Sequence, residues 1–163
     1  MIPDRTETHF ITAPMRSLKQ HVMELDSCVF YGKWRWFQGY WDAFSWVYGL
    51  SEEEIRDFMN RYQHARDNIQ NIISVMENGR LKDKLTSEYR FFPESNAGQY
   101  VNSHWYLWLF YMLSPIKKIR KTHQFKRFLD DIARTSERMI NNIENALWLE
   151  MVPEKEDTDS CKK

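Results

Sequence analysis

The sequence predicts an all-α protein: a single-domain bundle of about five helices with an aromatic-rich core and one long irregular connection. Three observations carry this expectation. Five glycines and five prolines punctuate long stretches whose apolar residues recur every three or four positions, the period of an amphipathic helix. Ten of the nineteen residues from Phe30 to Tyr48 are aromatic, and so much ring surface must be packed on something. Strand signals are weak outside Phe10-Ile11-Thr12. At 163 residues the chain suits one well-cored domain and is short for two. That domain is expected over 1–152, with 1–13 as an N-terminal arm and 153–163 as a disordered charged tail.

The elements follow in order. After Pro14, the stripe Met15, Leu18, Val22, Leu25 and Val29 marks the first helix. In the second, Trp34, Trp36, Phe37, Tyr40, Trp41, Phe44, Val47 and Tyr48 fill close to half of the helical wheel, an arc wide enough to touch two neighbours. The third has the clearest start in the chain. Ser51 and Glu54 stand as a capping box, Leu50 and Ile55 as a hydrophobic staple, and three glutamates face the positive end of the helix dipole. It runs through Phe58, Met59, Tyr62, Ile69, Ile72, Ile73 and Met76, with Gly79 as the natural residue to close it.

From Arg80 to Asn96 the periodicity fails. Leu81 and Leu85 support only a short turn of helix, and Tyr89-Arg90-Phe91-Phe92-Pro93 cannot extend it. Connections this long are often functional. Ser95 or Asn96 then caps a helix through Leu113, apolar nearly all round after His104 and therefore central, which Pro115 ends. The last helix is expected from about Gln124 to Glu150 on Phe125, Phe128, Leu129, Ile132, Met139, Ile140, Ile143 and Leu147.

Charge and cysteine content narrow the function classes. Lysine plus arginine and aspartate plus glutamate number 23 each, so no global field recruits nucleic acid or membrane. Two cysteines, Cys28 and Cys161, make neither a disulfide framework nor a metal spacing and suit a reducing cytoplasm. The opening residues MIPDRTETHF lack the apolar run of a secretory signal. The apolar stretch from Trp105 to Leu113 falls well short of the roughly 20 residues of a membrane span. A cytoplasmic chain without a membrane partner is the expectation.

The chemistry-bearing patterns are few. A carboxylate-bridged dimetal site needs Glu-x-x-His pairs; none occurs, and the five histidines are scattered, so neither metal nor cofactor is expected. Phosphate loops, nucleophile elbows and dinucleotide fingerprints are also absent from the sequence. Arg16 followed by four residues and His21 resembles the catalytic motif of the HEPN family of all-α ribonucleases. The resemblance implies His21 as acid/base and Arg16 as phosphate stabiliser, assembled across a dimer. It covers six residues. Ser17 stands where that family more often has asparagine, histidine or aspartate, and the motif falls in the first helix where the family places it late. A solvated helix face accounts for the same residues.

Lys117, Lys118, Arg120, Lys121, Lys126 and Arg127 form an acid-free run of eleven residues. It suits nucleic-acid binding, an acidic protein surface, or simple solvation of a link between helices. Arg66 falls inside the apolar stripe of the third helix, where a guanidinium either snorkels to the rim or pairs with a carboxylate; a ligand anion is the alternative partner. Trp46 and Trp148 lie off their apolar stripes, as binding anchors or as rings packed under a loop.

These features favour a small cytoplasmic protein that binds another protein, as an inhibitor, immunity factor or adaptor, without chemistry of its own. The expected surface comprises Trp46, Tyr89, Arg90, Phe91, Phe92, Lys117, Lys118, Arg120 and Lys121. The alternatives are a metal-independent ribonuclease using Arg16 and His21, and a nucleic-acid-binding module using Lys117 to Arg127. A second copy of the chain is an alternative partner.

Overall fold

The computed structural model describes residues 5–28, 50, 52–94 and 115–151. Four α-helices occupy them: α1 (Arg5–Cys28), α2 (Glu52–Val75), α3 (Arg80–Tyr89) and α4 (Pro115–Met151). There is no strand among the described residues. The aromatic segment with Trp46, the helix expected through Leu113, and the tail from residue 153 lie outside them.

Residues 5–13, expected as an arm, are the first turns of α1, and Pro14 sits inside that helix. The reason lies in two threonines. Thr8 and Thr12 are buried and continue the stripe of Met15, Leu18 and Val22 backwards at helical spacing. The cost of burying the Thr12 hydroxyl is met locally, since its Oγ1 donates to the Thr8 carbonyl at 2.9 Å. Pro14 has no N–H for the carbonyl four residues back. Burial of the stripe on both sides of it outweighs that lost hydrogen bond.

α1 lies antiparallel against α4, its most extensive neighbour. Arg16 pairs with Glu144 at 2.7 Å, Lys19 with Glu137 at 3.4 Å, and Asp26 with Lys126 at 4.0 Å, rising on one helix as they fall on the other. Each pair is half-exposed and contributes little energy; together they mark the register of the seam. The stabilisation comes from beneath. Met15, Leu18, Val22, Phe125, Leu129, Ile132, Met139 and Ile143 are buried in one cluster with Ile55, Tyr62 and Ile69 of α2 and Leu85 of α3.

The start of α2 behaves as its staple predicts, with Leu50 and Ile55 both buried. Its end departs from expectation. The helix stops at Val75, and Gly79 does not take the left-handed conformation; its φ is 177° and it stands at the N-cap of α3. Residues 80–89, expected to be mostly irregular, form a ten-residue helix pinned by buried Leu85. Its charged sequence hid a period resting on very few apolar positions. α4 also begins earlier, at Pro115 instead of near Gln124. Proline at the first helical position sacrifices no intrahelical bond. The basic run is therefore wound around a helix and is not a link.

Gly79 offers a direct check. An added Cβ there meets nothing within 4 Å, and the extended backbone suits any residue. No side chain caps α3. Gly79→Ser should therefore raise stability by about 0.5–1 kcal/mol in urea unfolding, through a new cap and a less flexible unfolded chain. A loss of stability would show that the glycine is needed for its conformation.

Candidate functional site

Phe91 is the large apolar side chain that the end of α3 brings to the surface. The helix ends at Tyr89, and N–H groups of Phe91 and Phe92 donate to the carbonyls of Glu88 and Tyr89 at 3.0 and 3.1 Å, closing a tight turn. The turn divides its rings. Phe92 is buried and packs edge-on to Tyr62 and Tyr89, with centroids 6.2 and 5.7 Å away. Phe91 faces out, 59 % exposed. Arg138 of α4 lies over its ring at 5.6 Å while pairing with Glu88 at 3.6 Å. Of the four turn residues expected at the surface, Arg90 and Phe91 are exposed, Tyr89 is half-buried and Phe92 is core.

Tyr62 holds this turn in place. It is fully buried, and its hydroxyl donates to the Pro93 carbonyl at 2.6 Å. Phe58 stacks beside it at 6.4 Å and Phe128 of α4 meets it edge-on at 5.6 Å. Arg66 completes the cluster. No carboxylate among the described residues pairs with it; its guanidinium lies over the Tyr62 and Tyr89 rings at 5.7 and 5.8 Å. Its Nε is buried without a hydrogen-bond partner. Among the described residues, two ring faces stand where an ion pair was expected.

The remaining expected residues fall elsewhere. Arg16 and His21 are not brought together within the chain: five residues on a helix turn their side chains about 140° apart. Arg16 reaches α4 and donates to Glu144. His21 faces α2, where Arg61 Nη1 donates to its Nε2 at 2.9 Å. That bond assigns the ring proton to Nδ1, which donates to the Ser17 carbonyl at 2.7 Å. Arg61 is in turn held by Asp57 at 3.0 Å. His21, Arg61, His64 and Asn68 border a cleft of about 350 Å³ floored by Leu18 and Phe58. Among the described residues no group of three or more His, Cys, Asp or Glu could hold a metal ion.

Lys117 and Lys118 lie in the first turn of α4, with Arg120 exposed and Lys121 half-buried. Burial pushes the Lys121 ammonium below its usual pKa. No described helix is long and apolar enough to cross a membrane. Sequence reasoning missed Arg138, which is distant from the turn in the chain; only the pairing of α3 with α4 brings it onto Phe91. No protein-family model, curated protein or solved structure matches the chain.

Tyr62 generates a pH prediction. Burial raises its pKa, the positive charge of Arg66 opposes this, and Tyr89 adds a smaller rise. A raised folded value means that the folded state keeps the proton that the unfolded chain releases above about pH 10. Stability should therefore be intact below about pH 10 and fall as pH rises further. Tyr62→Phe should lower stability by about 1 kcal/mol at neutral pH and make the alkaline decline shallower. Parallel urea titrations at about pH 8 and about pH 11 measure both, and an unchanged alkaline slope would place the proton elsewhere.

Proposed function

We propose that this protein acts by binding another protein, as an inhibitor, immunity factor or adaptor, through an aromatic-anchored surface and without chemistry of its own. The exposed ring of Phe91 beneath the Arg138 guanidinium supports this most directly. Aromatic and arginine side chains are the residues that most often dominate binding energy when a partner covers them. The turn carrying Phe91 is fixed from below by Phe92 and Tyr62, so little ordering cost falls on association. Trp46, Arg90 and the Lys117–Lys121 segment belong to the same proposed surface, as second anchor and polar rim. In this reading the aromatic segment and the Trp105–Leu113 segment complete one helical bundle in a cytoplasmic protein of a single domain.

The test is capture by the full-length tagged chain from lysate, with and without nuclease. A protein partner retained after nuclease treatment is expected. Phe91→Ala should weaken that partner's affinity at least about tenfold while leaving the melting temperature nearly unchanged, because an exposed ring adds little to the core. Trp46→Ala should do the same. Lys117→Glu with Lys121→Glu should alter the association rate and its salt dependence more than the lifetime. RNA cleavage by the pure chain that disappears in His21→Ala would overturn the proposal.

A further inference from the structure

Four arginines of α4 fall on one line. At about 100° per residue, Arg120, Arg127, Arg134 and Arg138 occupy an arc of about 40°, and the ridge extends for about 27 Å along the helix. All four are exposed. Among the described residues Arg120, Arg127 and Arg134 make no ion pair, whereas Arg138 is held between Glu88 and the Phe91 ring. The first three are seven residues apart, two helical turns or about 10.5 Å. Exposed Asp131 lies about 20° to one side of the arc, midway along the ridge. Beyond Arg138 the line continues to exposed Asn141 and Asn145, which carry no charge. The ridge therefore ends where Phe91 stands.

We propose that this ridge is a docking track for an acidic amphipathic helix of the partner protein, whose carboxylates recur every seven residues and whose apolar side chain meets Phe91. The inference rests on the protein-binding reading and supplies the partner's chemistry. Two helices lying side by side keep register when charges repeat at the heptad, and the guanidinium fork matches a carboxylate edge to edge. Like charges spaced along one helix face slightly destabilise it, and an acidic partner relieves this cost. Asp131 beside the middle of the track disfavours a nucleic-acid strand, whose unbroken row of phosphates would pass over it. The same acid favours a partner helix with a basic residue at the matching position. The neutral end at Asn141 and Asn145 suits the point where the partner's contact changes from carboxylate to apolar side chain.

The experiment is fluorescence anisotropy of the full-length chain with three probes. These are a synthetic helical peptide with glutamates at heptad spacing and one leucine stripe, a shuffled peptide of identical composition, and a single-stranded RNA of matching length. The heptad peptide should bind at least about tenfold tighter than the shuffled one. Arg127→Glu with Arg134→Glu should remove that preference without lowering the melting temperature. Equal binding of the two peptides, no detectable binding, or tighter binding of RNA would overturn the proposal. So would an affinity gain of about tenfold on neutralising the chain's own Glu154, Glu156, Asp157 and Asp159, since those residues would then be the occupant. Lysate capture separates this inference from the one beneath it. A partner lost in Phe91→Ala but kept in the double arginine variant contradicts the ridge alone, and no nuclease-resistant partner contradicts the protein-binding reading.

Discussion

Tyr62 is the side chain on which the rest of the described structure depends. Its ring is fully buried and touches Phe58 on its own helix, Phe92 in the turn and Phe128 on α4. Its hydroxyl cannot be buried without a partner, and the Pro93 carbonyl is that partner. One residue thereby joins three parts of the chain that are far apart in sequence. The Arg66 guanidinium follows from it: Tyr62 and Tyr89 present their ring faces to a cation at the edge of an apolar stripe, with no carboxylate paired to it among the described residues. The exposure of Phe91 also follows, because anchoring Phe92 inward turns its neighbour outward.

The α1–α4 seam is the second constraint, and it settles which polar residues are committed. Arg16 and Lys19 are paired across it with Glu144 and Glu137, and His21 on the other flank of α1 is paired with Arg61. Among the described residues the outer face of α4 carries no such commitments at Arg120, Arg127 and Arg134. The contrast between a seam of paired charges and three ridge arginines that make no ion pair among the described residues points to the ridge as the proposed interaction surface. In the proposed interaction, the exposed ring at one end serves as an apolar anchor and the line of charge sets the direction.

Much of the fold was legible from periodicity where apolar residues carried the period. The stripe of α2 and the staple of Leu50 and Ile55 required nothing more than spacing. α1 was legible only after Pro14, because its upstream stripe is made of Thr8 and Thr12, whose hydroxyls disguise core positions. α3 was hidden for the opposite reason: one buried leucine in a ten-residue helix of mostly charged and polar side chains leaves almost no signal. The candidate site was half legible. The turn from Tyr89 to Phe92 stood out by composition, but which ring faces the core depends on Tyr62, a contact 30 residues away in the chain. The arginine ridge was obscured by its spacing, since a contiguous basic run draws the eye to Lys117–Arg127 while the helix sorts charges by angle. The pairing of Arg138 with Phe91 is purely tertiary, and no local pattern encodes it.

Hydroxyl-radical footprinting of the chain, alone and with its captured protein partner, tests the central claim most directly. Four large apolar side chains are exposed among the described residues, Phe10, Met23, Val75 and Phe91. Phe10 and Met23 stand near opposite ends of α1, Val75 closes α2, and Phe91 lies in the turn after α3. They act as separate reporters of where a partner sits. The account predicts that the partner protects Phe91 and leaves Phe10 and Val75 as reactive as in the free chain. Protection of Phe10 or Met23 with Phe91 unchanged would contradict it.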